Sequence, residues 1–289
     1  MIMSHSFYKK YQSEINRFID QALAEDIEDG DHSSQACFDT QSETSALLKV
    51  KENCIIAGID LAEKIFTRFD PRIKVSSTID EGQPLAKGTN AFSVNGPARS
   101  LLATERLVLN CMQRMSGIAT LTRDLNEKIK HTDCKILDTR KTTPGFRYPE
   151  KWAVTIGGGY NHRMGLFDAI MIKDNHIDFC GGIEKTLLKT KDYLDKNELK
   201  IPVIVEVRKD SEIETAMLFS WVKRILLDNM TPEELHKKVA WIDGKFETEA
   251  SGNINAHNLI PYAETGVDFI SVGALTHSAN NVDLSLKAI

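Results

Sequence analysis

From Lys135 onward the chain repeats one pattern: a short aliphatic or β-branched run stops on a charged or small residue, and a helix-compatible stretch follows. The runs are Lys135–Asp138, Ala169–Ile172, Val203–Val207, Arg224–Leu227, Phe246–Ala250 and Phe269–Val272. They finish at Asp138/Arg140, Lys173, Glu206, Asp228, Ser251-Gly252 and Gly273, end points lying 35, 33, 22, 23 and 22 residues apart. Ile183–Leu194, Ser211–Ser220, Pro232–Trp241 and Asn255–Thr265 supply the intervening helices. Nearly continuous apolar strands alternating with helices specify a parallel sheet covered by helices. No GxGxxG follows an early strand, so a barrel is favoured over an open doubly wound sheet. In a (β/α) barrel the C-terminal strand ends build the active site.

The first part of the chain has a different texture. A polar lead, Phe7 to Glu25, predicts helix, and Ala46–Val50, Cys54–Ala57, Ile73–Thr78 and Ala91–Val94 predict short strands. Asp29-Gly30-Asp31, Glu81-Gly82 and Asn95-Gly96-Pro97 punctuate them as turns. From Ala98 to about Met115, Leu101, Leu102, Leu109 and Met112 fall at helical spacing, with Arg99, Glu105 and Arg106 off that stripe.

Thirty-six Lys and Arg against 41 Asp and Glu leave a net charge of −5, which argues against bulk capture of nucleic acid. No apolar run approaches the ~18 residues that span a bilayer. The polar segment Met1 to Glu14 lacks the apolar core of a secretory leader. Cys37, Cys54, Cys111, Cys134 and Cys180 are scattered without a CxxC, which predicts reduced thiols in a cytoplasmic protein.

The acidic total conceals a dense basic segment, LDTRKTTPGFRYPEKWAVTIGGGYNHRMGLFDAIMIKDNHI, from Leu137 to Ile177. It holds Arg140, Lys141, Arg147, Lys151, His162, Arg163, Lys173 and His176. Solvated surface charge would explain such a cluster in isolation. Its position at barrel strand ends points instead to a small polyanion, because guanidinium forks match carboxylates and phosphates. Lys173 closes an apolar strand, where a lysine serves as Schiff-base amine, as fixed charge for an anion, or as a snorkelling surface residue. Glu206 and Asp228 end neighbouring strands, so both face one mouth. There they suit Mg²⁺, sugar hydroxyls, acid–base work or simple pairing with lysines. Ser251-Gly252-Asn253 and Gly273-Ala274 follow the last two strands, where small residues let backbone N–H groups approach a phosphate or merely form tight turns. Arg106 reads as a surface arginine. The histidines outside the cluster show no metal-ligand spacing, and Trp152, Trp221 and Trp241 read as packing.

Taken together, ERLVLNCMQRMSGIAT (105–120), LDTRKTTPG (137–145), GGGYNHRMGL (157–166), IKDNHI (172–177), ILLDNM (225–230), EASGNI (249–254) and ISVGALTHS (270–278) resemble the quinolinate phosphoribosyltransferase family, in family order and over nearly the whole chain. The resemblance implies an N-terminal α/β sandwich domain with a leading helix, residues 1–115, followed by an incomplete parallel α/β (TIM-like) barrel, residues 116–289. It implies transfer of phosphoribosyl from phosphoribosyl pyrophosphate to quinolinate with Mg²⁺, giving nicotinate mononucleotide, pyrophosphate and CO₂ in NAD synthesis. It also implies a homodimer whose active site is shared across subunits.

Carried over by position, Arg140, His162, Arg163 and Lys173 hold the quinolinate carboxylates, and Arg106 reaches them from the partner. Lys141 lies beside the transferred groups. Glu206 and Asp228 engage the ribose hydroxyls and Mg²⁺, directly or through water. Ser251, Gly252, Gly273 and Ala274 cradle the 5′-phosphate. Lys141, Lys173, Glu206 and Asp228 are thereby the expected catalytic set. Two positions depart from the family pattern: Arg208 stands where a second acidic residue is expected, and Asn253 where a second glycine is common. The rival readings are a Schiff-base aldolase centred on Lys173 and a non-catalytic relative such as a molybdenum-transport-associated barrel protein.

Overall fold

The computed structural model describes residues 2–289. In chain order the elements are α1 (Ile2–Lys10), α2 (Gln12–Ile27), α3 (His32–Cys37), β1 (Glu43–Val50), β2 (Cys54–Ile55), α4 (Ile59–Phe69), β3 (Lys74–Ser76), β4 (Pro84–Leu85), β5 (Asn90–Pro97) and α5 (Ala98–Ile129). There follow β6 (Lys135–Leu137), α6 (Arg147–Ile156), β7 (Ile170–Ile172), α7 (Asp174–Cys180), α8 (Ile183–Lys196), β8 (Val203–Val207), α9 (Asp210–Met217) and β9 (Arg224–Asp228). The chain continues with α10 (Pro232–Ile242), β10 (Glu247–Ser251), α11 (Leu259–Ala263), β11 (Phe269–Ser271), α12 (Ala274–His277) and β12 (Leu284–Ala288). Two compact units result, neither continuous in sequence. The first comprises the chain up to Asp124 with Lys141–Gly159 and Leu275–Ile289; the second comprises Leu125–Arg140 and Tyr160–Ala274.

In the first unit an antiparallel sheet of order β12-β1-β5-β3 forms from strands that bury alternate residues. Ala46, Leu48 and Val50 of β1 point inward, the period of 2 expected of a half-buried strand. Helix α4 buries Ile59, Leu61, Ala62, Ile65 and Phe66, and Phe66 meets Phe92 of β5 edge-on at 6.5 Å. Full burial of side chains of that size contributes about 1.5–3 kcal/mol each. The polar lead becomes two helices that break at Tyr11. Phe7 stacks on the buried Trp152 of α6 at 5.6 Å, and Phe18 meets Phe146 at 5.1 Å.

Three local expectations fail here, each for a physical reason. Asn95-Gly96-Pro97 is strand, not turn: Gly96 pairs with Thr44, and a Cβ there would stand 3.0 Å from the Ile73 backbone, so glycine serves close approach. Helix α5 continues past Met115 to Ile129, because Gly117 is not a breaker. Its bare Cα admits the Asn280 carbonyl, which would lie 1.8 Å from any Cβ. β12 was not anticipated, since its partner β1 lies at the other end of the chain.

The second unit contains a six-stranded parallel sheet of order β6-β11-β10-β9-β8-β7. Among the described residues β6 and β7 do not pair. Tyr160 instead bridges to Leu137 on the free edge of β6, so the barrel is incomplete, in agreement with the sequence expectation. The register sorts side chains by face. One face is apolar: Ile136, Ile172, Val203, Val205, Val207, Ile225, Leu227, Ala250, Ile270 and Val272. The opposite face pairs Glu206 with Leu226, Leu226 with Glu249, Glu249 with Phe269, and Ser271 with Leu137. Arg224, Glu247 and Asp228 share that face by alternation. That face therefore mixes charged residues with Met171, Ile204, Leu226, Phe269 and Leu137, where branched apolar residues alone usually fill a barrel.

Candidate active site at the parallel strand ends

The site grows from the carboxyl ends of the strands. Asp138, fully buried just after β6, accepts from the His162 backbone N–H at 2.8 Å and from Asn161 Nδ2 at 2.6 Å. Those bonds, with Asp138 N–H to the Tyr160 carbonyl at 3.0 Å, lock residues 160–163 onto the edge of β6. Arg140 is exposed two residues beyond Asp138. Arg163 is half-buried and donates from Nη1 to the Ala169 carbonyl at 3.1 Å. Burial, and then the nearby Arg140 charge, lower the pKa of the Arg163 guanidinium, against a smaller opposing pull from Asp168.

The ring of His162 turns inward. Its Nδ1 accepts the Arg163 backbone N–H at 2.8 Å, which leaves the ring proton on Nε2, 3.3 Å from Glu249 Oε2. Glu249 is fully buried, accepts from Arg224 Nη1 at 2.9 Å, and takes a short bond from Ser271 Oγ. Burial acts to raise the Glu249 pKa, yet its contacts with His162, Arg224 and Ser271 outweigh that and hold it below the ordinary range. Arg224 and Glu249 were not singled out in the sequence; the signal available was a charge inside a strand, Arg224 at the start of β9 and Glu249 two residues after Glu247 in β10.

On the other side of the lumen, Lys173 Nζ meets Glu206 Oε2 at 3.2 Å. The lysine side chain is 47 % exposed, without the apolar burial that a Schiff-base amine requires. Asp228 accepts from Ser251 Oγ at 2.8 Å and Asn229 Nδ2 at 2.5 Å. The turn behind it needs Gly252, whose φ is +104° and whose Cβ would fall 2.3 Å from Asn229 Oδ1. Gly273 and Ala274 follow β11 at the same end of the sheet. Arg208, the departure from the family pattern, forks onto Asp178 at 2.8 and 3.1 Å and reaches Glu212 at 3.2 Å, tying α7 to α9. The sequence-predicted residues Arg140, His162, Arg163, Lys173, Glu206, Asp228, Ser251, Gly252, Gly273 and Ala274 all lie in this second unit, at the carboxyl ends of its parallel strands or in the 160–163 segment locked onto β6.

Lys141 and Arg106 belong to the first unit and are both exposed, Arg106 on α5. There a buried hub fixes the loop that starts at Lys141. The Lys141 carbonyl accepts from Thr276 Oγ at 2.8 Å, and the fully buried Glu150 accepts from Thr143 N–H at 3.0 Å and Thr143 Oγ at 2.9 Å. Arg114 donates to Glu150 at 3.0 Å, to the Ala279 carbonyl at 2.7 Å and to the Thr276 carbonyl. Neither Arg114 nor Glu150 stood out in sequence, since the helical stretch around them carries charge throughout.

Comparison with known proteins places this geometry. The profile described as "Quinolinate phosphoribosyl transferase, C-terminal domain" matches residues 118–287, and that of the N-terminal domain matches residues 31–116. A "Quinolinate phosphoribosyltransferase [decarboxylating] 1b" of Nicotiana tabacum is 45% identical over 284 residues, covering 93% of this chain and 81% of that protein. A "Probable nicotinate-nucleotide pyrophosphorylase [carboxylating]" of Bacillus subtilis is 38% identical, covering 94% of this chain and 93% of its own. Among solved structures, the nicotinate-nucleotide pyrophosphorylase from Francisella tularensis superposes with a TM-score of 0.88 at 39% identity, covering 96% of each chain.

Proposed function

The chain belongs to the quinolinate phosphoribosyltransferase family, and on that premise we propose how its residues divide the family's chemistry. It is a decarboxylating pentosyltransferase. It transfers phosphoribosyl from phosphoribosyl pyrophosphate to quinolinate, releasing pyrophosphate and CO₂ and giving nicotinate mononucleotide for NAD synthesis. The relatives support this reading and lend nothing to the molybdenum-associated alternative.

One observation carries the assignment of substrate: Arg140, Arg163 and Lys173 gather cationic side chains at the carboxyl ends of the parallel strands, a match for a dicarboxylate. Arg140, Arg163 and Lys173 hold quinolinate by its carboxylates, with His162 behind them. Lys141 meets the transferred groups, Glu206 and Asp228 take the ribose hydroxyls, and the Gly252 and Gly273-Ala274 turns receive the 5′-phosphate. The Ser251 hydroxyl already donates to Asp228, so its part in that cradle falls to its backbone.

The donor set suits magnesium shared with substrate oxygens. Glu206 and Asp228 offer only carboxylate oxygens, and the described residues include no group of three or more His, Cys, Asp or Glu able to hold a metal alone. When bound, magnesium supplies positive charge against the departing diphosphate. The protein's own contribution is orientation: fixing the pyridine nitrogen in line with the ribose C1 supplies the entropic part of the rate enhancement. Cationic groups that already face the lumen neutralise charge without reorganising. After the ring nitrogen is alkylated, its positive charge stabilises the carbanion left on the adjacent ring carbon as CO₂ departs, and a proton taken up from water at that carbon completes nicotinate mononucleotide, so decarboxylation needs no nucleophilic side chain.

A homodimer in which Arg106 enters the partner's site, a cytoplasmic location, and a division into modules 1–115 and 116–289 complete the proposal. The adjoining family-profile bounds support that division along the sequence, while the compact units of the fold interleave across it. The test is a coupled assay for nicotinate mononucleotide with quinolinate or nicotinate as acceptor. We expect product from quinolinate with phosphoribosyl pyrophosphate and Mg²⁺, and its absence overturns the reading.

A further inference from the structure

We propose that Glu249 is a positioning residue for acceptor binding: with Arg224 and Ser271 it forms a buried brace that orients His162, and His162 in turn presents Arg163. The proposal rests on the quinolinate reading above and deepens it. The physical argument starts from burial. A fully buried carboxylate in a barrel lumen is a poor source of stability, since apolar side chains of equal volume serve as well or better. Such a group is retained where it specifies one arrangement.

The arrangement is a continuous chain of contacts. Arg224 Nη1 lies 2.9 Å from Glu249 Oε2, and the same oxygen lies 3.3 Å from His162 Nε2. His162 Nδ1 holds the Arg163 N–H at 2.8 Å. The Arg224 guanidinium is itself fixed from below, 3.9 Å over the Phe269 ring and 3.1 Å from Glu247. Nδ1 of His162 is thereby bonded inside the protein and Nε2 is turned toward the Glu249 carboxylate, so the group that faces the anion from this segment is Arg163. Asp138 secures the same segment through its backbone, so the brace has two anchors, one main-chain and one side-chain. Arg224 and Glu247 form an ion pair at the opposite, amino-terminal end of the strands, which a purely structural lumen pair would resemble. Glu249 differs because its third contact is the segment that ends in Arg163.

Glu249→Gln keeps shape and an acceptor for Ser271 but loses the charge; Ser271→Ala removes one donor to the carboxylate with little change in volume. For Glu249→Gln we expect the quinolinate Kd, read by calorimetry, to rise about tenfold, with the KM for phosphoribosyl pyrophosphate changed less than about twofold. Ser271→Ala should weaken quinolinate in the same direction by a smaller factor, which keeps the test alive if the Gln variant does not fold. Imidazole ¹⁵N resonances of His162 supply a readout independent of turnover: Nε2–H in the wild type, with a shifted pattern in Glu249→Gln. Unchanged quinolinate affinity in both variants, or His162 resonances indifferent to Glu249, overturns the brace. If wild-type protein fails to turn over quinolinate, the functional reading falls, while the His162 resonances still report whether the brace exists.

Discussion

Replacing Arg114 by methionine removes the guanidinium that fastens the loop beginning at Lys141. Three acceptors lose their donor: Glu150 Oε1 at 3.0 Å, the Ala279 carbonyl at 2.7 Å and the Thr276 carbonyl. Methionine replaces most of the aliphatic stem, so the apolar loss is small and the polar loss decides the outcome. Glu150 would remain fully buried with only the Thr143 N–H and hydroxyl as donors. Stranding a buried charge in this way costs about 3–5 kcal/mol, which lowers the melting temperature on the order of 10 °C for a chain of this size. Glu150→Gln alone leaves the guanidinium its two carbonyls, and the double variant removes both charges at once. Urea denaturation of all four proteins closes the cycle, with a coupling energy of roughly 2 kcal/mol expected. A loss below about 1 kcal/mol in Arg114→Met, the size of one ordinary hydrogen bond, would refute the argument that this pair holds the loop. So would strictly additive single variants.

Gly252→Ala should cost about 1–3 kcal/mol in backbone strain at φ +104° and displace Asn229, whose N–H bonds the Ser251 carbonyl at 2.9 Å. Steady-state kinetics should show kcat/KM for phosphoribosyl pyrophosphate falling at least about tenfold, and wild-type kinetics would contradict the role of that turn. Arg163→Lys keeps the charge but loses the fork; quinolinate KM should rise roughly tenfold, and an unchanged value would remove Arg163 from the acceptor site. Asp70 accepts from Arg72 and from Ser100 Oγ at 2.6 Å, and the Arg72 bond, ahead of the opposing effect of burial, holds its carboxyl well below the usual range. Because the folded pKa is depressed, that stability is present above the ordinary carboxylate value of about 4 and is lost as pH falls through the folded value. Asp70→Asn should therefore cost roughly 1–2 kcal/mol near neutrality and progressively less below about pH 4 in denaturation curves; a gap independent of pH would count against the ion pair.

What was legible in the sequence was whatever had a local cause. Most of the parallel strands announced themselves as aliphatic runs, β10 (Glu-Thr-Glu-Ala-Ser) being the exception, and a terminal charge or glycine marked the mouth, so Lys173, Glu206, Asp228 and Gly252 were found by position. Features whose cause lies far along the chain were not. β12 shows only a short alternation, Leu284-Ser285-Leu286-Lys287, and its partner β1 lies at the other end of the sequence, with Leu47 and Leu48 opposite Lys287 and Leu286. Asn95-Gly96-Pro97 read as a turn, and the helix was not followed past Met115, because the close approaches that explain Gly96 and Gly117, those of Ile73 and Asn280, are invisible in the flanking residues. The lumen-side ladder was not legible either: Val203–Val207 is buried on both faces, as its continuous apolar run suggests, and only the register shows that Glu206 shares a face with Arg224 and Glu249.

The chain leaves and re-enters its first unit, which gathers residues up to Asp124, then Lys141–Gly159, then Leu275–Ile289. No single cut in the sequence releases either unit whole, so this protein cannot be divided for study by truncation. On the ribosome the consequence is temporal. The pairing of Ala46 with Ala288 must wait until residue 288 has emerged, leaving one edge of β1 unsatisfied until then. The strands of the second unit, the last of which ends at Ser271, are all available earlier. The half of the molecule translated first is thus the half completed last.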